Sequence, residues 1–426
     1  MEITAITRGL RGPASAPVLR ILLVTPDMPF PPTGGAPMRN YQFARHLARR
    51  HQVSLITYQR HPSPDSRLAL ARFCESIWSV DTPFPTSRQK RWAQLRSLGS
   101  RSSYLHWLFW SPLMQTTIDK ALGDHCFDLI QVEGSVMASF TFPTDAPLIL
   151  DEHNIEYELL DRTYRTERSP LRKAYNWAEY LKFRREELEA WARFDGCVLT
   201  SEREAATLRR MAPQLPSAVV ENGVDLDYFS PDTGLTDPMS IVFTGRMNYR
   251  PNADAVKYFV RDVFPAVLRK HPAVRLTIVG TDVPDEVRRL AAPQVLLTGW
   301  VPDVRPYLAT AAVVIAPLRM GGGTRLKILE ALAMGKGVVS TSVGCEGLAV
   351  ESGKHLLVAD NPQTFAAEVT RVMEDRWLAA ELGGAGRRLV ERRYGWETVS
   401  DSLEDFHTGL RSRYSARRAS EGFSNG

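Results

Sequence analysis

GGGTRLKILEALAMGKGVVST, from Gly321 to Thr341, is the stretch that decides the fold. Three glycines lead into a segment whose apolar residues recur at helical spacing, which predicts an amphipathic helix with the core positions Leu326, Leu329, Leu332 and Ala333. A short apolar strand, GVVST at 337–341, follows this helix, and a buried strand, AAVVIAPLR at 311–319, precedes the glycines. Strand, glycine turn, helix and strand in this order indicate one βαβ unit of a parallel sheet.

The same alternation of strand, turn and helix repeats along the whole chain. It predicts an α/β protein with two Rossmann-like, doubly wound parallel sheets that face each other across a cleft. Ligands of such sheets bind at the carboxyl ends of the strands. Predicted helices include 38–50 and 252–271. The predicted strands lie at 18–26, 51–59, 127–134, 146–154, 195–204, 240–247, 274–281, 294–301, 311–319, 337–341 and 355–360.

Length and composition support two domains. A chain of 426 residues with 44% hydrophobic content exceeds one comfortable core and suits two units of about 200 residues each. The segment 214–238 is rich in Pro, Gly and Asp, which favours a boundary there. We therefore expect flexible tails at 1–17 and 416–426, a first domain at 18–215 and a second domain from 216 to 395.

Composition also excludes several classes of protein. The chain has 24% charged residues and a net charge of +5, an ordinary balance that disfavours nucleic acid as a partner. No apolar run approaches the roughly 20 residues that a membrane-spanning helix needs. The four cysteines are far apart and form no CxxC pair, which indicates a reducing compartment. The predicted location is cytoplasmic.

Two places in the first half carry candidate site residues. Gly34 and Gly35 precede a helix, where backbone N–H groups and the helix dipole attract an anion; the alternative is a plain flexible loop. His153 follows a strand in DEHN, beside two acids, and is either a site residue or a structural histidine. Glu133 also follows a strand and is a weaker candidate, because it could equally begin the next turn.

Cations and one acid follow strands in the second half. Arg246 and Arg250 suit a diphosphate because guanidinium groups offer forked donors; the alternative is a solvated loop. Thr324 can cap the helix after the glycines, and Arg325 and Lys327 lie in its first turn, where cations oppose the helix dipole unless an anion shares the site.

The acid of this helix is Glu330, which can accept both hydroxyls of a ribose. Its alternative is a helical pair with Lys327, worth about 0.2–0.5 kcal/mol. Three features together predict a nucleotide-diphosphate site: the glycine turn, a helix start that can bind an anion, and an acid that can accept the ribose hydroxyls.

These motifs resemble those of a known family. VVENGVDLDYFSP, IVFTGRMNYRPN, LTIVGT, LTGWVPDVRPYLATAAVVIAPLRMGGGTRLKILEALAMGKGVVST and RRYGWETVSDSLEDF are similar to segments of the group 1 GT-B glycosyltransferases, the retaining family numbered 4. The first half matches through PPTGGAPMRN and DEHN only. The resemblance covers roughly 20–410 and implies a GT-B fold whose C-terminal helix, 396–415, crosses back to the first domain.

The resemblance also implies roles. Arg246 would hold the donor diphosphate with help from Lys327 or Arg250, and Glu330 would bind the ribose hydroxyls. His153 would hydrogen-bond the transferred sugar near the reacting carbon. The remaining donor contacts would come from backbone or small side chains, namely Gly34, Gly35, Val301 near the base, Gly322, Gly323 and Thr324, with Arg325 beside them.

Two departures from the family pattern stand out. The usual Glu-x7-Glu motif has Gly322 at its first position and Glu330 at its second, which puts the usual carboxylate contact to the donor sugar in doubt. The family's lysine five residues after Arg246 is Pro251, so Arg250 or Lys327 would substitute as a phosphate ligand.

The predicted activity is transfer of a sugar from a UDP- or GDP-sugar to a glycan, lipid-linked or small-molecule hydroxyl, with retention. No cofactor and no metal are expected, because cations can stabilise the leaving diphosphate and no DxD pair is evident. The alternatives are a GT-B epimerase and a catalytically impaired scaffold or nucleotide-sugar binding protein, which the glycine at 322 favours.

The acceptor side is less determined. The segment 86–110 carries five cations, no acids and interleaved aromatic residues. It suits peripheral contact with an anionic membrane, near a lipid-linked acceptor. The alternative is a helix pair whose aromatic face packs into the first domain. Sequence alone leaves the oligomeric state open.

Overall fold

The computed structural model describes residues 17–32, 34–59, 64–82, 86–231, 234, 236–321 and 325–424, without the side chains of Ser87 and of 417–424. Within these residues the chain forms two parallel sheets of seven and six strands, each covered by helices. The predicted fold class, two doubly wound Rossmann-like domains, is confirmed.

The first sheet has the strand order β3-β2-β1-β4-β5-β6-β7, and its pairs are parallel. Its strands are β1 (Arg20–Thr25), β2 (Gln52–Gln59), β3 (Ser76–Asp81), β4 (Leu129–Glu133), β5 (Leu148–Glu152), β6 (Gly196–Leu199) and β7 (Ser217–Val219). Its helices are α1 (Gly35–Leu47), α2 (Pro64–Leu70), α3 (Ser87–Leu98), α4 (Tyr104–Phe109), α5 (Pro112–Asp124), α6 (Glu156–Thr166), α7 (Pro170–Arg193) and α8 (Glu202–Met211), with a 3-10 turn at Ser135–Met137.

The second sheet has the order β10-β9-β8-β11-β12-β13, again with parallel pairs. Its strands are β8 (Asp237–Thr244), β9 (Arg275–Val279), β10 (Val295–Gly299), β11 (Ala311–Ala316), β12 (Val338–Ser340) and β13 (Leu357–Val358). The remaining helices are α9 (Arg250–Tyr258), α10 (Phe264–Lys270), α11 (Asp285–Arg288), α12 (Arg305–Thr310), α13 (Leu326–Ala333), α14 (Pro362–Glu374), α15 (Arg376–Arg393) and α16 (Trp396–Ser424).

Each sheet is buried on both faces, which explains the continuous apolar runs of the strands. Leu22 and Val24 face one apolar cluster, and Ile21 and Leu23 face the other, because successive side chains of a strand point to opposite sides. Burying such a side chain contributes about 1.5–3 kcal/mol, so both helical layers are held tightly on the sheet.

The strand order of each sheet identifies one topological switch point. The order reverses between β1 and β4 in the first sheet, and between β8 and β11 in the second. Crevices open at such points beyond the carboxyl ends of the strands. The segments after β1, β4, β8 and β11 therefore hold the positions from which side chains reach a ligand.

The helix α16 returns to the first domain, as predicted. Trp396, Val399, Leu403 and Leu410 belong to the first domain's apolar cluster, and the rings of Trp396 and Phe43 lie 5.9 Å apart. A Cβ at Gly196 would lie 2.8 Å from the Leu410 side chain, so a larger residue there would push the side chains of α16 away from β6.

Two predicted boundaries and one predicted helix differ from the structure. β7 pairs with β6 in the first sheet, so the predicted end of the first domain at 215 falls before its last strand. α16 extends to Ser424, past the predicted 415, so the helix continues into the predicted tail. The single helix predicted at 252–271 is interrupted by a π-helical turn, Phe259–Val263, next to Pro265, which lacks the N–H that a regular helix would need.

Candidate active site in the interdomain cleft

The candidate site lies where the carboxyl ends of the two sheets face each other. Arg162 of α6 donates from Nη1 to the carbonyl of Gly321, after β11, at 2.7 Å. A Cβ at Gly347 of the second domain would lie 3.4 Å from Ser201 of the first. Gly321 therefore lies against the first domain, and the two domains meet at this edge of their sheets.

His153 follows β5 and pairs with a buried acid. Its Nε2 lies 2.8 Å from Oε2 of Glu133, at the end of the neighbouring strand β4. Burial alone would lower the pKa of His153, but the Glu133 hydrogen bond and the charges of Asp151 and Glu133 raise it overall. Burial and the charge of Asp151 raise the pKa of Glu133. A hydrogen bond thus joins the histidine and the acid at the edge of the cleft.

Arg39 neutralises the other acid of this group. Its Nε and Nη2 donate to the two carboxylate oxygens of Asp151 at 2.8 and 3.1 Å, and both side chains are buried. Its Nη1 donates to Oδ1 of Asn222 at 3.1 Å. A forked pair of this kind is rigid and charge-balanced.

Glu133, Asp151 and His153 offer ligand atoms within 4.8 Å of one another, a spacing that would suit a metal ion. The surroundings do not favour one, because Arg39 occupies both oxygens of Asp151. A divalent cation there would have to displace a buried guanidinium or lie beside it. The absence of a metal stays a prediction.

A cavity of about 440 Å³ opens in front of His153. Its wall includes Gly35, Arg39, Glu133 and His153. Gly34 has a φ of 91° and precedes α1, and a Cβ at Gly34 or at Gly35 would meet no atom of the described residues within 4 Å. The first turn of α1 carries no acid. The start of this helix is thus open to an anion, as the prediction for Gly34 and Gly35 requires.

Lys327 lies in the first turn of α13. Its Nζ donates to Oδ1 of Asn252 at 2.8 Å and sits 4.0 Å from the centre of the Phe243 ring. No carboxylate of the described residues forms an ion pair with it. Burial, followed by the charge of Arg325, lowers the pKa of Lys327 to about 7. A half-buried cation without a carboxylate partner among the described residues is unfavourable, so this position suits a bound anion.

The loop after β8 lies directly beside Lys327. Asn252 donates from Nδ2 to the carbonyl of Arg246 at 2.8 Å, which ties the loop to the lysine. The backbones of β8 and β9 meet here, because a Cβ at Gly280 would lie 1.8 Å from the carbonyl oxygen of Gly245. The loop therefore has a fixed, tightly packed base.

Arg246 and Arg250 are more exposed than Lys327. Arg246 forms a 3.4 Å ion pair with Asp282, and more than half of its side chain is exposed. Arg250 is exposed and begins α9. Exposed ion pairs contribute about 0–1 kcal/mol, so Arg246 is free to exchange Asp282 for a phosphate.

Glu330 lies one turn after Lys327 on α13. Its carboxylate makes no hydrogen bond among the described residues, and burial raises its pKa to about 7, with Lys327 opposing the shift. Val301 is half-buried against the apolar cluster that includes Ile328 and Leu329 of the same helix. Val301 and the helix of Glu330 therefore contribute to one apolar cluster, and the donor contacts of both residues stay predictions.

Arg325 has a different environment from that expected. It is the residue before α13 rather than a residue of its first turn. It is buried, and its Nη2 donates to the carbonyls of Gly321 at 3.1 Å and Val343 at 3.2 Å. These bonds tie Arg325 to Gly321 and to the segment that follows β12. Gly322, Gly323 and Thr324, three other predicted contacts, lie outside the described residues.

Sequence reasoning missed three residues of this neighbourhood, Arg39, Asp151 and Asn252. Arg39 and Asp151 are separated by 112 positions, and only the pairing of β5 with β4 beside α1 brings them together. The signal for Asp151 was present in DEHN, where it precedes His153 by two residues. Asn252, two residues after Arg250, had no signal of its own.

Two family models match the chain. The first, Glycosyltransferase Family 4, covers residues 33–228, and the second, Glycosyl transferases group 1, covers residues 238–375. The two matches follow the two sheets.

Two curated relatives illustrate the range of similarity. An uncharacterized 44.6 kDa protein in the cps region of Klebsiella pneumoniae is 22% identical over 90% of this chain and 98% of its own length. A GDP-mannose-dependent alpha-(1-6)-phosphatidylinositol monomannoside mannosyltransferase of Mycobacterium tuberculosis is 29% identical over 44% of this chain. The match spans only 54% of that enzyme.

Solved structures share the fold over nearly the whole chain. Sucrose-phosphate synthase of Thermosynechococcus elongatus has a TM-score of 0.69 at 18% identity, covering 93% of this chain and 100% of that one. HepE of Anabaena, solved with UDP and glucose, has a TM-score of 0.65 at 16% identity, covering 91% of this chain and 98% of that one.

Proposed function

The chain belongs to the group 1 glycosyltransferases of the GT-B fold, and on that premise we propose that it transfers a hexose from a GDP- or UDP-sugar to a hydroxyl acceptor, with retention and without a metal. One observation carries the proposal. Lys327 is half-buried at the switch point of the second sheet, and its Nζ donates to Asn252 without a carboxylate partner among the described residues. A diphosphate supplies the missing negative charge.

The diphosphate is the leaving group, and cations would stabilise the charge that develops on it. Lys327 would meet it from the start of α13, and Arg246 and Arg250 from the loop after β8. Removing one preorganised donor of this kind typically lowers kcat by about 10²–10³-fold. Glu330 would accept the ribose hydroxyls and so fix the nucleoside relative to Lys327.

His153 would act on the sugar from the first domain. With Nε2 engaged by Glu133, Nδ1 is the atom left for the transferred sugar. The acceptor hydroxyl would attack the anomeric carbon on the face that the diphosphate leaves, and its proton would pass to the departing phosphate oxygen. The cavity beside His153 would hold the acceptor.

A catalytically impaired nucleotide-sugar binding protein is the second candidate. Gly322 stands where the family usually has glutamate, and that departure favours it. Lys327, Glu330 and His153 remain in place, and each has an environment that suits a ligand more than a structural role.

A thermal-shift screen with UDP, GDP and their sugars identifies the nucleobase of the sugar donor. The mycobacterial relative is named for GDP-mannose, and the Anabaena structure contains UDP, so both bases belong in the screen. We expect one base to raise the melting temperature of the full chain. No shift with any nucleotide would overturn the proposed function.

Donor binding is expected to be linked to protons, because Lys327 and Glu330 both have a pKa of about 7 in the free protein. A diphosphate would raise the pKa of Lys327, so binding at pH 8 takes up about one proton. Ribose hydroxyls would lower the pKa of Glu330, so binding at pH 6 releases protons. Calorimetry of an intact nucleotide sugar in buffers of different ionisation enthalpy measures both.

Single variants distinguish the proton uptake of Lys327 from the proton release of Glu330. Lys327→Met should remove the uptake at pH 8 and leave the release at pH 6, and Glu330→Gln should do the reverse. Proton exchange that keeps one sign across this pH range would show that the two groups are not both in the donor site.

We also propose that the α3 surface, defined as Arg88, Lys90, Arg91, Trp92 and Leu95, contacts an anionic membrane. The ring of Trp92 is 71% exposed and Leu95 is 59% exposed, and the three cations lie beside them. In contrast, Leu105 and Phe109 of α4 pack against the apolar core of the first domain. No helix of the described residues has the length and apolar character to cross a bilayer. Such contact would suit a lipid-linked acceptor.

Flotation with phosphatidylglycerol vesicles tests this surface. Each cation near an anionic surface contributes about 1 kcal/mol, so Arg88→Glu, Lys90→Glu and Arg91→Glu together should weaken binding at least a hundredfold, by about 3 kcal/mol or more. High salt should weaken wild-type binding, because it screens exposed charges. The same three changes at Arg261, Arg269 and Arg289, which are exposed on the second domain, serve as the control. A wild-type protein that does not float would contradict the proposal.

A further inference from the structure

A buried chain of hydrogen bonds connects His153 to the returning helix α16. From His153 it passes at 2.8 Å to Oε2 of Glu133, whose Oε1 accepts from Nε2 of Gln131 at 2.7 Å. Oε1 of Gln131 lies 2.6 Å from Nε2 of His407 on α16. Gln131 and His407 have no exposed surface. Four polar side chains thus run from the cleft through the first domain.

The direction of the bonds is determined by Gln131. Its amide N–H donates to Glu133, so its carbonyl oxygen must accept, and the donor is the Nε2–H of His407. Burial lowers the pKa of His407 to about 3, so this histidine is neutral at physiological pH. A neutral histidine with its proton on Nε2 fits this direction.

We propose that Gln131 and His407 are positioning residues for His153, so that docking of α16 on the first domain sets the orientation of Glu133 and the protonation of the histidine in the cleft. This inference rests on the proposed function only for the role of His153. Neither residue touches the cleft.

The physical argument concerns Glu133. Its Oε1 accepts from Gln131, and its Oε2 has His153 at 2.8 Å. The Asn40 amide donates to the same oxygen at 2.9 Å in the orientation that turns its nitrogen toward the acid. Donors to a carboxylate favour its ionised form. Loss of the Gln131 donor would raise the pKa of Glu133, weaken the negative partner of His153 and so lower the pKa of His153.

Other charged groups also face His153, and they are the same in the wild-type protein and in the variants of Gln131 and His407. Asp151 raises the pKa of His153 and Arg39 lowers it, and the two are held by each other in an ion pair. The charges of Glu152, at the end of β5, and Glu156, at the start of α6, also interact with that of His153. These groups set the baseline from which variants of Gln131 and His407 depart.

α16 has independent contacts with the first domain, and these provide controls. Arg411 donates from Nη2 to Oδ1 of Asp128 at 2.6 Å, one turn after His407. Arg411→Ala would remove this half-exposed ion pair and leave the apolar docking of α16 and the hydrogen-bonded chain in place. His407→Gln keeps an amide N–H that reaches the position of Nε2, whereas His407→Leu removes it.

The experiment is an NMR titration of the full chain labelled with 15N-histidine, with the His153 signals assigned through His153→Gln. We expect Gln131→Met and His407→Leu each to lower the pKa of His153 by about one unit. His407→Gln and Arg411→Ala should leave it within about 0.3 units of wild type, the scatter expected for an unrelated site. Circular dichroism confirms that each variant is folded.

Activity provides a second readout. If the cleft needs a donor at Nδ1, activity falls as pH rises through the pKa of His153, and the high-pH limb of kcat moves to lower pH in Gln131→Met. If the pKa of His153 in Gln131→Met and in His407→Leu equals that in the wild-type protein, the inference is overturned, whatever the activity. An inactive wild type with a shifted His153 pKa would instead overturn the proposed function alone.

Discussion

Replacing His153 with alanine is expected to lower kcat by about 10²–10³-fold, as removal of one preorganised donor does. The nucleotide affinity should stay near wild type, because His153 belongs to the first domain and the nucleotide contacts are proposed for the second. The paired change Glu133→Gln should lower kcat as well, since it removes the negative partner that raises the pKa of His153. Steady-state kinetics together with nucleotide titration measures both quantities.

His125 offers a matched control for this experiment. It is an exposed histidine of the first domain, after α5 and away from the cleft cavity. His125→Ala should therefore leave kcat unchanged. A fall in kcat of less than about threefold in His153→Ala, well below the effect of a removed donor, would show that His153 is a structural histidine of the cleft wall.

Replacing Lys327 with methionine is expected to lower kcat/KM by about 10²–10³-fold and to stabilise the free protein. Methionine keeps the length of the apolar stem against Phe243 but carries no charge to the diphosphate. The lowered pKa of Lys327 means that the folded state holds this proton less tightly than the unfolded chain does. The lysine therefore destabilises the fold fully below pH 7, and the effect fades as pH rises toward 10.5.

The gain in stability of Lys327→Met should follow that pH dependence. It should be larger at pH 7 than at pH 10, with each kcal/mol raising the melting temperature by about 2–4 °C. Lys257→Met is the matched control, because Lys257 of α9 pairs with Glu286 at 2.9 Å. The Lys327 account is wrong if only Arg246→Ala abolishes activity while Lys327→Ala and Arg250→Ala stay near wild type.

The sequence predicted the fold because the signals were local and repeated. Apolar runs flanked by turns and amphipathic helices identify buried parallel strands without any knowledge of their order. The order itself depends on pairing between distant segments, such as β1 with β4. The ends of the domains were less accurate, because β7 is a strand of only three residues inside a segment that otherwise has the composition of a linker.

The two halves of the candidate site also differed in how well the sequence predicted them. Lys327 and Glu330 lie on one helix, so their spacing alone places them together. The group around His153 is assembled from α1, β4 and β5, and Arg39 gave no sign of its partner because most arginines in helices are solvated. Its burial is visible only once the sheet is built. Gln131 and His407, separated by 276 positions, are an extreme case of the same limit.

Transfer of labelled sugar from GDP- and UDP-sugars to a lipid extract, with the released nucleoside diphosphate measured in parallel, tests the central claim most directly. We predict that one donor yields a labelled organic-phase product and an equal amount of nucleoside diphosphate, and that Lys327→Met and His153→Ala suppress both. If a nucleotide stabilises the protein but no donor releases nucleoside diphosphate in the presence of the lipid extract, the chain is a nucleotide-sugar binding protein, and the proposed catalytic roles of Lys327 and His153 are wrong.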